Sequence, residues 1–327
     1  MTQSIDAIVI GAGQAGLAAS CCLTRVGVEH LVLEAGRPGQ SWLDRRPTLR
    51  LLTPNWMTRL PGFAYAGPDP QGYMGMADVA ALLDTYAAAL EAPVLCHAAV
   101  DRVSAGLGRF LVHSARGTFL ARAVIAATGA CRVPLVPALA DRLAPGIAQV
   151  TAAAYRNPAD LPPGGVLVAG ASASGAQIAE ELARAGRHVV LAVGRHTRIP
   201  RIWRGRDIMA WMDLAGILDE APAHRSGEGA SSFTSLQLCG SPDRRDLDLG
   251  TLASLGVKAV GRVEAADGTR VRFSADLPDL ARRADDRMRR LLQRIDRHIE
   301  LAGQGVPPAL APPPVVPDAG RMELDLA

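Results

Sequence analysis

The chain has 327 residues, 49% of them apolar, enough for two domains of ordinary size with a buried core each. Its formal net charge is only +3 and Lys258 is the sole lysine, so no basic tract marks a nucleic-acid surface, and the expected partners are small molecules. Cys21, Cys22, Cys96, Cys131 and Cys239 are odd in number and lack Cys-x-x-Cys spacing, which argues against a disulfide framework or a zinc ribbon, and predicts no bound metal and a cytoplasmic location.

Residues 7–24 carry no charge, but Asp6 rather than a basic cluster precedes them, and glycines and Gln14 interrupt them, so they read as strand, turn and helix rather than as a signal peptide. The strand is 7–10, the turn is Gly11-Ala-Gly-Gln-Ala-Gly16, and the helix is 17–26. A second strand, 31–33, ends in Glu34, 23 residues after Gly11. In such a βαβ unit glycines allow the tight turn and close backbone approach, the helix N-terminus faces a diphosphate, and the acid accepts from ribose hydroxyls. Next come a segment 49–61, a Pro/Gly-rich loop to about Gly72, a helix 78–90, and alternating stretches at 94–103 and 110–113. A short strand, 124–127, runs into Thr128-Gly129.

The second uncharged stretch, 161–179, contains Pro162, Pro163 and four glycines, which is wrong for a transmembrane helix. It repeats the first pattern instead: strand 166–169, turn Gly170-Ala-Ser-Ala-Ser-Gly175, helix 176–185, strand 189–193. No acid closes this strand. Gly194, Arg195, His196, Thr197 and Arg198 stand there, a set that favours a ribose 2′-phosphate and hence NADPH over NADH, the alternative being that both arginines are solvated surface groups. Beyond it, 203–218 reads as a loop and helix, 224–235 as a loop, and 257–263 with 271–273 as a hairpin turning at Asp267-Gly268. Ala284, Met288, Leu291, Ile295 and Ile299 recur at helical spacing, with charges on the remaining face expected to be solvated. A proline-rich run, 306–317, precedes the last residues, and no further strand is expected.

Several segments together resemble the flavin-dependent monooxygenases of the two-dinucleotide type, which include the flavin-containing and Baeyer–Villiger monooxygenases and related bacterial flavoprotein oxidoreductases. The carriers are the two glycine turns, Gly39-Gln-Ser-Trp42, Leu49-Arg-Leu-Leu-Thr-Pro54, Leu60-Pro-Gly62, Ala127-Thr-Gly129, Tyr155-Arg-Asn-Pro158 and Gly194-Arg-His-Thr-Arg198. The resemblance implies an α/β fold of two Rossmann-like domains, an FAD domain (1–160, first part) with an inserted NADPH domain (161–275), and a helix and return segment (276–327). It assigns Gly11, Gly13, Gln14, Ala15, Gly16, Glu34 and Ala35 to the diphosphate and ribose of FAD, and Ser41, Trp42 and Thr53 to the flavin side. The Val100 backbone falls to the adenine, with Ala127, Thr128 and Gly129 completing the cofactor contacts. Gly170, Ser172, Ala173, Ser174 and Gly175 take the NADPH diphosphate, and Arg195 and Arg198 its 2′-phosphate.

Three departures stand out. The fingerprint expected before Tyr155 is altered, with Thr151 in the place of a histidine; Ser172 replaces the middle glycine, which a backbone close to a diphosphate tolerates less readily; and a closing Ala-Thr-Gly strand of the FAD domain is missing, as in a C-terminally shortened chain. The activity implied is oxygen transfer from a peroxyflavin to a small organic substrate, with NADPH and molecular oxygen consumed. Asn55 is the one candidate catalytic side chain, offset by one residue from the pattern. The alternatives are electron transfer without oxygen insertion, disulfide reduction, and non-catalytic NADPH binding. No membrane is expected, and a homodimer is open to it.

Overall fold

Alternate side chains of the apolar run Ala7-Ile-Val-Ile10 face opposite layers, as they must in a strand covered on both sides. The run is the inner part of β1 (Gln3–Ile10); Ile8 packs with Leu33, Val112 and Phe119, whereas Val9 packs with Leu17, Val32 and Leu83. The computed structural model describes residues 3–106, 108–130, 133–220, 236–310, 312 and 322–327; the expected loop at 224–235, the last part of the proline-rich run, and Cys131 lie outside them.

The chain divides into two units, Met1–Leu135 with Ala153–Arg156, and Val136–Ala152 with Asn157–Ala327. In the first, α1 (Gln14–Arg25) leads to β2 (His30–Leu33), α2 (Met76–Ala89) and β3 (Val94–Leu95), followed by β4 (Val100–Gly106), β5 (Arg109–Ser114) and β6 (Gly117–Ala126). The sheet order is β3-β2-β1-β6-β5-β4. β1 runs parallel to both neighbours, with Ile10 opposite Leu33 on one side and Ala126 on the other, while β4, β5 and β6 form an antiparallel meander. The single alternating stretch expected at 94–103 is therefore two strands. They part at His97, whose φ of +54° turns the chain from the parallel edge into the meander.

The second unit repeats the arrangement with β7 (Val166–Ala169), α3 (Ala173–Arg184) and β8 (Val189–Ala192). Then come β9 (Thr197–Arg198), α4 (Ile208–Leu214), β10 (Leu236–Gln237), α5 (Leu249–Ser254) and β11 (Lys258–Val260). The parallel order is β11-β8-β7, with β9 and β10 paired separately. The expected hairpin is displaced: 258–260 belongs to the parallel sheet, and the hairpin proper is β12 (Val263–Asp267) with β13 (Arg270–Phe273), turning at Gly268. Its apolar face, Ala266, Val271 and Phe273, packs on Ala192 and Val260.

Helix α6 (Leu277–Leu301) buries Leu280, Ala284, Met288, Leu292, Ile295 and Ile299; Leu292 rather than Leu291 carries the stripe. Residues 276–327 fall within the second unit. α6 packs on β9, and β14 (Glu323–Asp325) adds antiparallel to β13, so a strand does form where none was expected. Phe273 is fully buried at that junction. Phe273→Ala is expected to destabilise the chain by about 3–5 kcal/mol, read from denaturant unfolding, and a loss below about 1 kcal/mol would contradict this packing.

Candidate functional site

Gly11 hands the chain from β1 to α1 in a conformation reserved for glycine. Its φ is +104°, its N–H donates to Leu33 O at 2.8 Å, and a Cβ would stand 2.6 Å from Ala127 O. A Cβ on Gly16 would lie 1.8 Å from Gly11 O. Gly13 differs: its φ of −80° and ψ of −174° suit any residue, and a Cβ there would meet nothing within 4 Å. The outer glycines thus serve the protein's own backbone, and the middle one leaves space in front of the helix. The first helical bond is Leu17 N–H to Gly13 O, so the amides of Gln14, Ala15 and Gly16 have no intrahelical acceptor. Among the described residues no side chain caps this end and no acid lies in its first turn, which leaves a positive helix end facing open space.

Glu34 closes β2 beside this turn. Its Oε2 accepts from Ala12 N–H at 2.6 Å and its Oε1 from Gly36 N–H at 2.8 Å, and each oxygen keeps a second lone pair. Ala35 is exposed next to it. Gly39 N–H donates to Ala12 O at 3.2 Å, and Trp42 Nε1 donates to Gln14 Oε1 at 3.2 Å, so the short helix Gln40–Leu43, with Ser41 exposed on it, is tied to the glycine turn. Gly39 is a residue that packing demands, because at φ +73° its Cβ would stand 2.9 Å from Ala80 Cα. Ala127 borders Gly11, Thr128 and Gly129 are exposed, and Val100 opens β4 with its backbone paired to Ser114. Thr53 is half-buried in the loop that leads to Asn55.

Asn55, the candidate catalytic side chain, is held by the backbone of the loop beside it. It is 4% exposed, its Oδ1 accepts from Met74 N–H at 2.6 Å, and its Nδ2 donates to Asp69 O at 2.9 Å, so its amide braces the 69–74 loop.

The second turn reproduces the first. Gly170 has φ +104°, its N–H donates to Ala192 O at 2.8 Å, and a Cβ on Gly175 would lie 1.8 Å from Gly170 O. Ser172, at φ −73° and ψ −179°, occupies the same extended region as Gly13, so its backbone angles suit a side chain. The first helical bond is Ala176 N–H to Ser172 O, which leaves the amides of buried Ala173, exposed Ser174 and Gly175 without intrahelical acceptors. Gln237 Nε2 donates to Ala171 O at 2.8 Å, and Gln177 Nε2 to Leu238 O at 2.7 Å, a brace that no local pattern in the sequence signals.

At the end of β8 the two arginines separate. Arg195 is exposed, whereas Arg198 is 5% exposed, with Nε donating to Asp248 Oδ2 and Nη1 to Asp285 Oδ1, both at 2.8 Å. Asp248 also caps α5 by accepting from Thr251 N–H at 2.8 Å. The charge of Arg198, expected to face a 2′-phosphate, is instead committed to two carboxylates that lock β9 to α5 and α6. Between them His196 is buried, its Nδ1 donating to Gly194 O at 3.0 Å. Burial pushes its pKa below the ordinary imidazole value, and the Arg287 and Arg198 guanidiniums push the same way.

Cys21, Cys22, Cys96 and Cys239 are free thiols. Cys21 is buried and donates to Pro61 O at 3.2 Å, and burial raises the pKa of Cys96 and Cys239, the reverse of what activates a thiol. Among the described residues no cluster of His, Cys, Asp and Glu could hold a metal ion, and no helix is long and apolar enough to cross a membrane.

Residues 8–203 match the family model described as pyridine nucleotide-disulphide oxidoreductase. The chain is 36% identical over 221 residues to an uncharacterized CzcO-like oxidoreductase of Geobacillus kaustophilus, the match covering 67% of this chain and 63% of that one. It thus spans less than two thirds of that relative's length. Among solved structures it is similar to a flavin-containing monooxygenase from Stenotrophomonas maltophilia, with 27% identity, a TM-score of 0.62, and 84% of this chain and 74% of the other covered. A bacillithiol disulfide reductase from Staphylococcus aureus shares the fold, with a TM-score of 0.54 at 14% identity over 83% of this chain and 71% of the other.

Removing Arg198 strands two buried carboxylates, so Arg198→Ala is expected to cost roughly 3–5 kcal/mol in unfolding experiments, and a neutral result would show that the ion pairs do not hold β9. His196 supplies a pH signature. Its pKa is lower folded than unfolded, so the unfolded chain binds the extra proton first. Stability is full above the ordinary imidazole pKa of about 6.5 and falls as the pH drops towards the lower folded value. His196→Gln is expected to flatten the stability profile across that window; an unchanged slope would mean that His196 is not buried.

Proposed function

The chain belongs to the pyridine nucleotide-disulphide oxidoreductase family, and on that premise we propose that it is an FAD- and NADPH-dependent oxidoreductase, acting as a monooxygenase on a small organic substrate. The observation that carries the reading is the pair of matching glycine turns followed by strands that end in opposite charges, Glu34 in the first unit and Arg195 in the second. An acid suits the free ribose hydroxyls of FAD, and a cation suits the 2′-phosphate of NADPH.

The residues fit these groups. The open space at Gly13 and the bare amides of Gln14, Ala15 and Gly16 would take the FAD diphosphate, and the remaining lone pairs of Glu34 the adenosine ribose. Ser172, Ala173, Ser174 and Gly175 would take the NADPH diphosphate, with Arg195 outside them. When bound, FAD supplies acceptance of a hydride from NADPH and activation of molecular oxygen. The protein's part is position and electrostatics: two positive helix ends fix two diphosphates, and Trp42, tied to Gln14, fixes the segment next to the first turn. This division of labour asks for few acid–base side chains, which agrees with Asn55 having a bracing role.

Similarity to a flavin-containing monooxygenase at 27% identity favours oxygen transfer over disulfide reduction. The described thiols favour it too, because Cys21 and Cys22 are the only neighbours among them in sequence and Cys21 is buried. The purified chain is expected to carry flavin absorbance, to oxidise NADPH with uptake of oxygen, and to add one oxygen atom to an organic sulfide or ketone, read by mass. Flavin reduction without an oxygenated product would leave electron transfer as the activity, and a colourless chain that takes up no FAD would overturn the proposal.

A further inference from the structure

Arg283, Arg287 and Arg290 share one face of α6, at spacings of four and three residues, and as a sequence they read as a solvated charge stripe. The fold gives them an address. Arg287 Nε donates to His196 O at 3.1 Å, and a second guanidinium nitrogen reaches the same carbonyl, so this side chain is pinned to the backbone of the residue after Arg195. The pin is held from beneath, because Asp285 on the same helix receives the buried Arg198. Arg195, Arg283 and Arg290 all lie near enough for their charges to act on Arg287.

Three other arginines of this helix have their charges answered: Arg282 by Asp279 at 2.6 Å, Arg289 by Asp286, and Arg294 by Glu220. Arg283, Arg287 and Arg290 have no carboxylate within ion-pair distance among the described residues. Burial first, and then the three neighbouring guanidiniums, lower the pKa of Arg287, with the nearby Asp286 carboxylate, itself paired with Arg289, opposing them only in part. Like charges held together in this way are relieved by an anion, and a phosphate dianion accepts from several guanidinium forks at once.

We infer that α6 supplies the second half of the 2′-phosphate site: Arg287, flanked by Arg283 and Arg290, joins Arg195 in reading the phosphate that distinguishes NADPH from NADH. The inference rests on the proposed NADPH site and replaces Arg198 in it. Arg198 becomes a positioning residue, fixing the helix that presents the cation. The surplus charge has no use for NADH, so its effect belongs to specificity and not to dinucleotide binding as such.

Calorimetric titration of the purified chain with NADPH, NADH and 2′,5′-ADP tests it. Wild type is expected to prefer NADPH over NADH by about tenfold or more, and Arg287→Gln to lower affinity for NADPH and 2′,5′-ADP by about tenfold with NADH unaffected. Arg287→Lys is expected to retain part of the preference. Arg283 and Arg290 are exposed, so the double variant Arg283→Gln/Arg290→Gln keeps the fold and is expected to reduce the preference and its dependence on salt. If these variants keep the full NADPH preference while Arg195→Gln loses it, the helix takes no part and the NADPH reading stands. Wild type binding NADH as tightly as NADPH would overturn both.

Discussion

A carbonyl oxygen and an α-carbon in close approach determine most of this molecule. Gly11 O sits where a Cβ on Gly16 would be, 1.8 Å away, and Gly170 O stands in the same relation to Gly175. Neither pair tolerates a side chain, and that contact draws the start of each helix back against the strand before it. The helix ends then present bare amides, and the intervening position, Gly13 or Ser172, is the one place where the backbone makes no demand. One steric rule used twice yields two helix starts with amides lacking intrahelical acceptors.

The strands beyond the two turns end in opposite charges. In the first unit β2 ends in a carboxylate tied to the turn through Ala12 and Gly36, which keeps Glu34 in place while leaving lone pairs free. In the second, β8 ends in a segment alternating exposed and buried charge, where Arg198 is neutralised by Asp248 and Asp285 and His196 is kept neutral by burial. That buried network ties β9 to α5 and α6. It thereby sets where β9 and α6 lie, which holds Arg287 against the His196 carbonyl.

The turns are legible in the sequence because their constraint is local: the colliding atoms lie five residues apart, and glycine is the residue that removes the collision. Helix positions are legible for the same reason, through the spacing of apolar residues along α1, α3 and α6. The features that stay hidden depend on partners far along the chain. Arg198 looks like Arg195 because nothing near it reveals Asp248 and Asp285, 50 and 87 positions away. Asn55 looks available because its acceptor and donor arrive from residues 69 and 74. The pairing of β14 with β13 and the transfer of 258–260 to the parallel sheet are likewise long-range, settled by Phe273 and Val260 sharing one apolar layer. The backbone at Ser172 takes an ordinary extended φ that any residue adopts, which the spacing of glycines alone does not reveal.

That the two turns hold two different dinucleotides is tested most directly by a crossed titration, in which FAD and NADPH are each added to wild type, Gly13→Val and Ser172→Val. Both positions have backbone angles that accept a side chain, so the fold is kept in each variant. Gly13→Val is expected to lose FAD and keep NADPH, and Ser172→Val to do the reverse. Competition between the two ligands for one site, or loss of both in either folded variant, would contradict two separate dinucleotide sites.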